Sequence, residues 1–179
     1  DVMNHSFIIK GNICQTITSK ELDLHENAFA VCVDGVSKGV FDILPEKYTD
    51  LPLWDHGDAL IFPGMVDLHV HAPQYAFRGM CMDLELMDWL NRYTFPEEEK
   101  YEDLEYAKKA YGLFVDALKN SATTRACIFA TCHRPATELL MKLMEESGLV
   151  SFVGKVNMDR EASPALTEAS ADISAYTTF

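Results

Sequence analysis

The segment IFPGMVDLHVH, residues 61–71, contains a Pro-Gly pair, a mostly apolar run and two histidines one residue apart. The run Met65–His71 is predicted to form a β-strand, because it is short, largely apolar and preceded by chain-breaking residues. Side chains alternate between the two faces of a strand, so Asp67, His69 and His71 are expected to point the same way. The segment also separates a region of predicted strands and turns from a region in which predicted helices and strands alternate.

The two histidines are candidates for a metal site. Imidazoles at alternate positions of a strand lie about 6–7 Å apart along the backbone and can bind one zinc ion at Zn–N distances of about 2.0–2.1 Å. Ligand sites gather at the carboxyl ends of the strands in parallel α/β folds, where His69 and His71 are predicted to lie. A His-x-His pair also occurs by chance, but its place directly after the Pro-Gly pair favours the metal site.

After the Pro-Gly pair, predicted helices alternate with predicted strands. A helix is expected near residues 83–93, before a break at Pro96, and a second helix over residues 101–120. Strands are expected at residues 123–133 and 149–159, with a further helix between them. This alternation predicts parallel strands joined by crossover helices, an α/β arrangement. The second helix carries an apolar stripe of residues three or four positions apart: Leu104, Ala107, Tyr111, Phe114 and Leu118.

The preceding region, residues 5–62, is predicted to contain short strands joined by turns. An Asp-Gly pair at residues 34–35 indicates a two-residue hairpin turn, because glycine tolerates the positive φ of that turn. Two further β-rich pieces flank residues 11–12, and the polar stretch LPEKYTDLPLWDHGD, residues 44–58, is expected to be a loop. The region is therefore predicted to be a small antiparallel β unit.

Composition narrows the class of protein. The chain has 179 residues and a formal net charge of -13, so nucleic acids and anionic membranes would be repelled, and neither is expected as a partner. It has no apolar run near the ~20 residues of a membrane span, and it lacks the pattern of a secretory signal. The five cysteines include no CxxC pair and are expected to be reduced. These features predict a cytoplasmic protein.

The motif PGMVDLHVH resembles the first strand of the amidohydrolase superfamily, metal-dependent hydrolases built on a (β/α)8 barrel with a β-sandwich. The motifs HAPQ, YTFPEE, FATCH and GKVNMD narrow the resemblance to the guanine deaminases, and the likeness extends to about Asp159. The resemblance implies an α/β fold: the first three or so βα units of a partial (β/α)8 TIM-like barrel, plus the N-terminal part of a small β-sandwich. Residues 1–62 are assigned to the sandwich and residues 63–179 to an incomplete barrel.

The resemblance also implies roles for individual residues. His69 and His71 match the first two ligands of a zinc ion, with iron as an alternative. The segment of His71, Ala72, Pro73 and Gln74 matches the part of the family that runs along the purine pocket. Gln74 matches the glutamine that binds the purine, and its amide offers both a donor and an acceptor to guanine.

The implied function is zinc-dependent hydrolytic deamination of guanine to xanthine and ammonia, in purine catabolism or salvage, by a homodimer. The family's later metal ligands, two His and an Asp, and its His-x-x-Glu general acid/base have no counterpart in this chain. We therefore expect the chain to be an N-terminal portion that is inactive alone. Two alternatives stay open: an amidohydrolase acting on another purine, a triazine or a cyclic amide, and a non-catalytic scaffold that retains barrel pieces.

Several other residues are weaker candidates for the site. His133 is predicted to end the second barrel strand, where it could reach the pocket, although a capping or packing role is favoured. Trp89 could belong to a lid or to the core. Asp67 could orient the histidines. Lys155 is a lesser candidate, and Arg78 could be mobile and solvated.

Overall fold

The computed structural model describes residues 5–169 and residue 173. The chain divides into two compact units, residues 1–63 and residues 64–179. The first unit contains a β-sheet, and the second is an α/β unit with a parallel sheet. The assignment of residues 1–62 to a sandwich and residues 63–179 to a barrel, as domains, stays a prediction.

The sheet of the first unit is mixed rather than purely antiparallel. Its strand order is β3-β2-β1-β4; β2 pairs with β1 and β3 in antiparallel fashion, while β4 runs parallel to β1. The strands are β1 (Phe7–Thr18), β2 (Glu21–Val33), β3 (Val36–Phe41) and β4 (Leu53–Ile61). Ile8, Ile13, Ala28 and Val31 are buried in this unit.

The predicted hairpin turn is confirmed. Asp34 and Gly35 both have positive φ, at 53° and 76°, and they join Val33 to its partner Val36. Positive φ at both central residues is the geometry of a type I′ turn, whose twist matches that of the flanking strands.

Besides the purely antiparallel sheet, two further predictions for the first unit are wrong. The β-rich pieces around residues 11–12 form one strand, β1, which continues through a register shift at Gly11. The expected loop of residues 44–58 contains the start of β4. A side chain at Gly11 would collide with Ile61, so the glycine permits the close approach of β4 to β1 instead of making a turn.

The second unit contains the predicted parallel strands and crossover helices. Its sheet has the order β5-β6-β7, formed by β5 (Met65–His71), β6 (Thr123–Phe129) and β7 (Val150–Gly154). Its longest helices are α3 (Leu104–Lys119) and α4 (Arg134–Ser147). The largest hydrophobic core joins these helices to the sheet through residues such as Tyr111, Phe114, Ala126, Ile128 and Leu140.

The helical path before α3 does not break at Pro96. It runs through α1 (Leu86–Trp89), a π-helical turn (Leu90–Thr94) and α2 (Phe95–Glu99). Pro96 lies in the first turn of α2. The N–H groups of a first helical turn have no partner within the helix, so the N–H that proline lacks costs no hydrogen bond there. In the π turn directly before it, the backbone hydrogen bonds join residues five apart instead of four. This change allows the helical path to continue through the proline. Short 3-10 helices occupy Glu46–Tyr48, Ala72–Phe77 and Lys100–Glu102.

The long helices have well-defined ends. The Asp103 carboxylate accepts hydrogen bonds from the backbone N–H groups of Glu105 and Tyr106 and caps α3. Gly148 ends α4 in the left-handed conformation, at φ 77°. The predicted stripe of α3 is confirmed except at Leu104, the first residue of the helix, which is 46% exposed.

The five cysteines were predicted to be reduced, and no membrane-spanning segment was predicted. All five cysteines are free thiols; Cys132 is buried and the other four are half-buried. Within residues 5–169 and residue 173, no helix combines the length and the apolar character needed to cross a bilayer.

Candidate functional site

His69 and His71 are brought together at the carboxyl end of β5. Their Nε2 atoms are 3.2 Å apart, and their ring centroids are 5.1 Å apart. Two nitrogen ligands at about 2.0–2.1 Å from one tetrahedral zinc ion would lie about 3.3 Å from each other. The pair therefore has the nitrogen spacing that a shared metal ion requires, and its role as metal ligands stays a prediction.

Phe129 holds the two imidazoles in place. It is the last residue of β6 and is in register with His71. The centroid of its ring lies 4.8 Å from that of each imidazole, and it stacks on His71 at an interplanar angle of 17°. The adjacent parallel strand thus supplies a rigid aromatic support, which limits the rotamers that the histidines can adopt.

The electrostatic surroundings favour neutral His71. Burial, and then the charge on neighbouring His69, lower the pKa of the His71 imidazole below its ordinary value of 6.5. A neutral imidazole has a free nitrogen lone pair, which is the form that binds metal ions. Bringing the two rings together therefore prepares them for a cation.

A cavity of about 480 Å³ adjoins the histidine pair. One wall is the 3-10 helix Ala72–Phe77, which begins directly after β5. The cavity is lined by His69, Val70, His71, Gln74, Tyr75, Arg78 and Phe114.

The four residues assigned to the purine pocket occupy two different environments. His71 and Gln74 line the cavity. Ala72 and Pro73 are buried in the core beneath it, and the Tyr101 hydroxyl donates to the Pro73 carbonyl at 3.3 Å. Ala72 and Pro73 therefore serve to position the segment, and a direct contact between either residue and a purine stays a prediction.

Arg78 makes two contacts with Tyr75 that its sequence context did not indicate. Its guanidinium lies 3.9 Å from the centroid of the Tyr75 ring, and its Nη1 donates to the Tyr75 carbonyl at 2.9 Å. This cation–π contact ties the exposed Arg78 side chain to the wall of the cavity, so the residue is solvated but has a defined partner. The spacing of three residues between Tyr75 and Arg78, typical of neighbours on a helical turn, was the signal that could have revealed the contact.

Asp67 supports the backbone of the site. Its Oδ1 accepts from the backbone N–H of His69 at 3.1 Å. The register of β5 against β6 shifts between Asp67 and Val70, so strict alternation of side chains fails there. A role of Asp67 in orienting the histidine rings stays a prediction.

His133 lies beyond its predicted strand, because β6 ends at Phe129. It occupies the residue before α4, where its side chain makes no capping hydrogen bond to the described part of the chain. It lines a different cavity, together with Cys132 and Arg134. The prediction that it ends the second barrel strand is wrong.

Trp89 and Lys155 have structural partners. The Trp89 indole N–H donates to the Met80 carbonyl at 3.3 Å, and its ring packs against Phe77. Lys155 follows the end of β7 and forms an ion pair with Glu168, with 2.6 Å between Nζ and Oε1. Both residues are thus engaged in packing or pairing away from the histidine cavity.

The histidine pair is only part of a complete metal centre. A tetrahedral zinc site takes three or four protein ligands. Among residues 5–169 and residue 173, no cluster of three or more His, Cys, Asp or Glu side chains has the geometry to hold a metal ion.

Comparison with known proteins identifies relatives of the chain. The curated guanine deaminase of Dictyostelium discoideum is 44% identical over 108 residues, which cover 60% of this chain and 24% of that protein. The crystal structure of guanine deaminase from C. acetobutylicum, with guanine bound in its active site, matches with a TM-score of 0.88 at 42% identity. That match covers 93% of this chain and 40% of the solved chain, so the chain spans well under half the length of these relatives.

A more distant structure and a family model define the fold and the family. A triazine hydrolase from Arthobacter aurescens matches with a TM-score of 0.78 at 12% identity, over 96% of this chain and 41% of that one, which is a likeness of fold alone. The α/β unit with its accompanying sheet is therefore part of a TIM-barrel amidohydrolase fold, and the resemblance to guanine deaminases is confirmed. A model of the amidohydrolase family matches residues 60–177. The chain belongs to the amidohydrolase family.

Proposed function

We propose that the full-length protein catalyses the hydrolytic deamination of guanine to xanthine and ammonia. The observation that carries this proposal is the pair of Nε2 atoms of His69 and His71, 3.2 Å apart beside Gln74 in one cavity. Identities of 44% and 42% to proteins described as guanine deaminases support the choice of substrate. We propose further that the protein works as a homodimer in the cytoplasm, where its five free cysteines would stay reduced.

Amidohydrolases generally use a divalent metal ion. We propose zinc, with iron as the alternative, because two imidazoles with this nitrogen spacing suit a tetrahedral ion. When bound, the ion supplies Lewis acidity that lowers the pKa of water toward neutrality. His69 and His71 would hold it, and the remaining ligands and the general acid/base are proposed to lie elsewhere in the full-length protein.

Gln74 is proposed to orient the purine. Its side-chain amide carries one acceptor oxygen and two donor hydrogens, so it can pair with a ring edge that offers both a donor and an acceptor. Gln74 lies three residues after His71, which is one turn of the 3-10 helix, and its amide is on the wall of the same cavity. Hydrogen bonds to Gln74 would fix the orientation of a bound purine and so the position of its reacting carbon. This favours guanine over rings that lack an edge with both a donor and an acceptor.

The substrate assignment is tested by ammonia release from the purified, zinc-loaded full-length protein. Guanine is expected to be turned over, while adenine and hydantoin are expected to react far more slowly. If hydantoin or a triazine were turned over and guanine were not, the proposed substrate would be wrong. A zinc-loaded protein that releases ammonia from none of these rings would favour a scaffold.

Replacing Gln74 with alanine is expected to raise KM for guanine about tenfold to a hundredfold in the full-length protein, because a buried hydrogen bond to the substrate is lost. Bound metal, measured by elemental analysis, should be unchanged. The matched control is Gln15→Ala in the first unit, where Gln15 binds Asp23 and lies outside the cavity; its KM should equal that of the wild type. Loss of metal from the Gln74→Ala variant would show that Gln74 supports the metal site instead of the substrate.

A further inference from the structure

A histidine of the first unit lies between two carboxylates. His25 belongs to β2, and its Nδ1 atom is 2.7 Å from Oδ1 of Asp42, the residue directly after β3. Its other ring nitrogen, Nε2, is 2.9 Å from Oδ2 of Asp23, two residues earlier on β2. Both distances are typical of charge-assisted hydrogen bonds. The imidazole therefore contacts a carboxylate through each of its two nitrogens.

This arrangement requires a proton on both nitrogens. A neutral imidazole has one N–H donor and one nitrogen with a lone pair, whereas the imidazolium has two donors. In the neutral form, one nitrogen would direct its lone pair at a carboxylate, and an ionised carboxylate has no proton to donate. Only the imidazolium can donate to Asp23 and Asp42 at once. The geometry therefore favours the charged form of His25.

A third strand joins the network through Gln15. This residue lies on β1 and is paired with Asp23 across the β1–β2 ladder. Its Nε2 donates to Oδ2 of Asp23 at 2.9 Å, the same oxygen that faces the ring of His25. Hydrogen bonds from Gln15 and then from His25 lower the pKa of the Asp23 carboxyl. Asp23 is therefore held as a fixed, ionised partner for the imidazolium.

The remaining surroundings of His25 are acidic. Glu26 on β2 and Asp58 on β4 line a cavity of about 480 Å³ beside it, and none of the described residues that line this cavity is a lysine or an arginine. Hydrogen bonds to Asp42 and then to Asp23 raise the pKa of His25 above its ordinary value of 6.5. The contacts from β2, from β4 and from the end of β3 thus all favour the imidazolium.

The contact with Asp42 lies at the end of an edge strand. In the order β3-β2-β1-β4, β3 pairs with β2 alone within the described part of the chain. The last backbone pair at this end of the β2–β3 ladder is Phe29 with Phe41, and the contact between His25 and Asp42 lies beyond it. β3 has six residues, and its register against β2 shifts once. A short edge strand with an interrupted ladder opens more easily than an inner strand, so it depends more on side-chain contacts.

We propose that Asp23, His25 and Asp42 form a pH-sensitive clasp that holds the end of β3 against β2. With His25 protonated, the imidazolium donates to both carboxylates. When His25 loses a proton, one lone pair faces a carboxylate, and Asp42 is released because its side chain is 73% exposed, against 29% for Asp23. The edge strand then opens more often. The clasp belongs to the first unit and does not depend on the proposed deamination.

The direction of the pH effect follows from the raised pKa of His25. The folded protein binds this proton more tightly than the unfolded chain does. The clasp is therefore complete below about pH 6.5, and it is lost as the pH rises through the pKa of His25 in the folded protein.

Titration of His25 in the full-length protein tests the protonation. NMR with isotope-labelled histidine follows the ring, and the signal is assigned by its absence from His25→Gln. The midpoint is expected above 6.5, and Asp42→Asn should lower it by about one pH unit, since it removes one of the two carboxylates. Asp50→Asn is the matched control, because Asp50 is an exposed carboxylate of the same unit. A wild-type midpoint at or below 6.5, or one that Asp42→Asn leaves unchanged, would overturn the proposal.

Hydrogen exchange of the β3 amides tests the conformational part. After correction for the intrinsic rate at each pH, the protection of β3 relative to the β1–β2 ladder should fall about twofold to fivefold between about pH 6 and about pH 9, as expected for the loss of exposed ion pairs. Asp42→Asn should show the lower protection already at about pH 6, and Asp50→Asn should follow the wild type. The β1–β2 ladder serves as the reference because it reports any change in the stability of the whole unit. If His25 titrates above 6.5 but the relative protection of β3 does not change with pH, the clasp does not hold the strand and the proposal is wrong.

Discussion

Replacing His69 with alanine is expected to remove bound metal and abolish guanine deamination in the full-length protein. The two Nε2 atoms lie 3.2 Å apart, so loss of one leaves the other as a single ligand from this strand. A metal ion contributes several kcal/mol to hydrolysis by lowering the pKa of water, so activity should fall at least about a thousandfold. Metal content by elemental analysis and ammonia release from guanine are the two measurements.

His56→Ala is the matched control for that experiment. His56 lies in β4 of the first unit and is exposed, so its loss should change neither metal content nor activity. Thermal unfolding of both variants would exclude a general loss of structure. A His69→Ala protein that kept its metal in the normal ratio would contradict the assignment of His69 as a ligand.

The wild-type protein is expected to lose stability as the pH rises through the range in which Glu98 titrates. Burial raises the pKa of Glu98 from 4.5 to about 7, so the folded protein holds this proton more tightly than the unfolded chain does. The stabilising effect is therefore complete below about pH 4.5 and is lost as the pH rises through about 7. The shift corresponds to about 3 kcal/mol as an upper bound, since each pKa unit is about 1.4 kcal/mol.

Glu98→Gln should remove this dependence, because glutamine keeps the shape of the side chain but cannot ionise. The free energy of unfolding of the variant, measured with urea, should exceed that of the wild type by an amount that grows from about pH 4.5 to about pH 8. Glu146→Gln is the control, since the Glu146 side chain is 61% exposed on α4 and should leave the wild-type slope intact. Equal slopes for Glu98→Gln and the wild type would show that Glu98 is ionised without penalty.

Local sequence signals were sufficient for several elements. The Asp-Gly pair at residues 34–35, the strand Met65–His71 and the helix α3 all form where the sequence predicts them. Each depends on interactions within a few residues: positive φ in a turn, alternation in a strand, or an apolar stripe in a helix. The proximity of His69 and His71 belongs to the same group, because alternation alone places them on one face.

Two other features could not be predicted from local sequence patterns. β4 was expected to be a loop because its residues are polar, but it gains hydrogen bonds by running parallel to β1 as an edge strand. Pro96 was expected to end a helix, but the preceding π turn carries the chain past it. The strand depends on β1, which is distant in sequence, whereas the π turn is a local change of hydrogen-bonding pattern that composition does not indicate.

The sequence by itself determined the strand that carries the histidine pair and the family to which the chain belongs. Only the tertiary structure decided that Phe129 supports both imidazoles, that Arg78 packs on Tyr75, and that Oε2 of Glu98 is buried with no hydrogen-bond partner among the described residues. The division has a physical cause. Backbone conformation and side-chain alternation are properties of neighbouring residues, whereas burial, pKa and the support of a site depend on residues that folding brings together from distant positions.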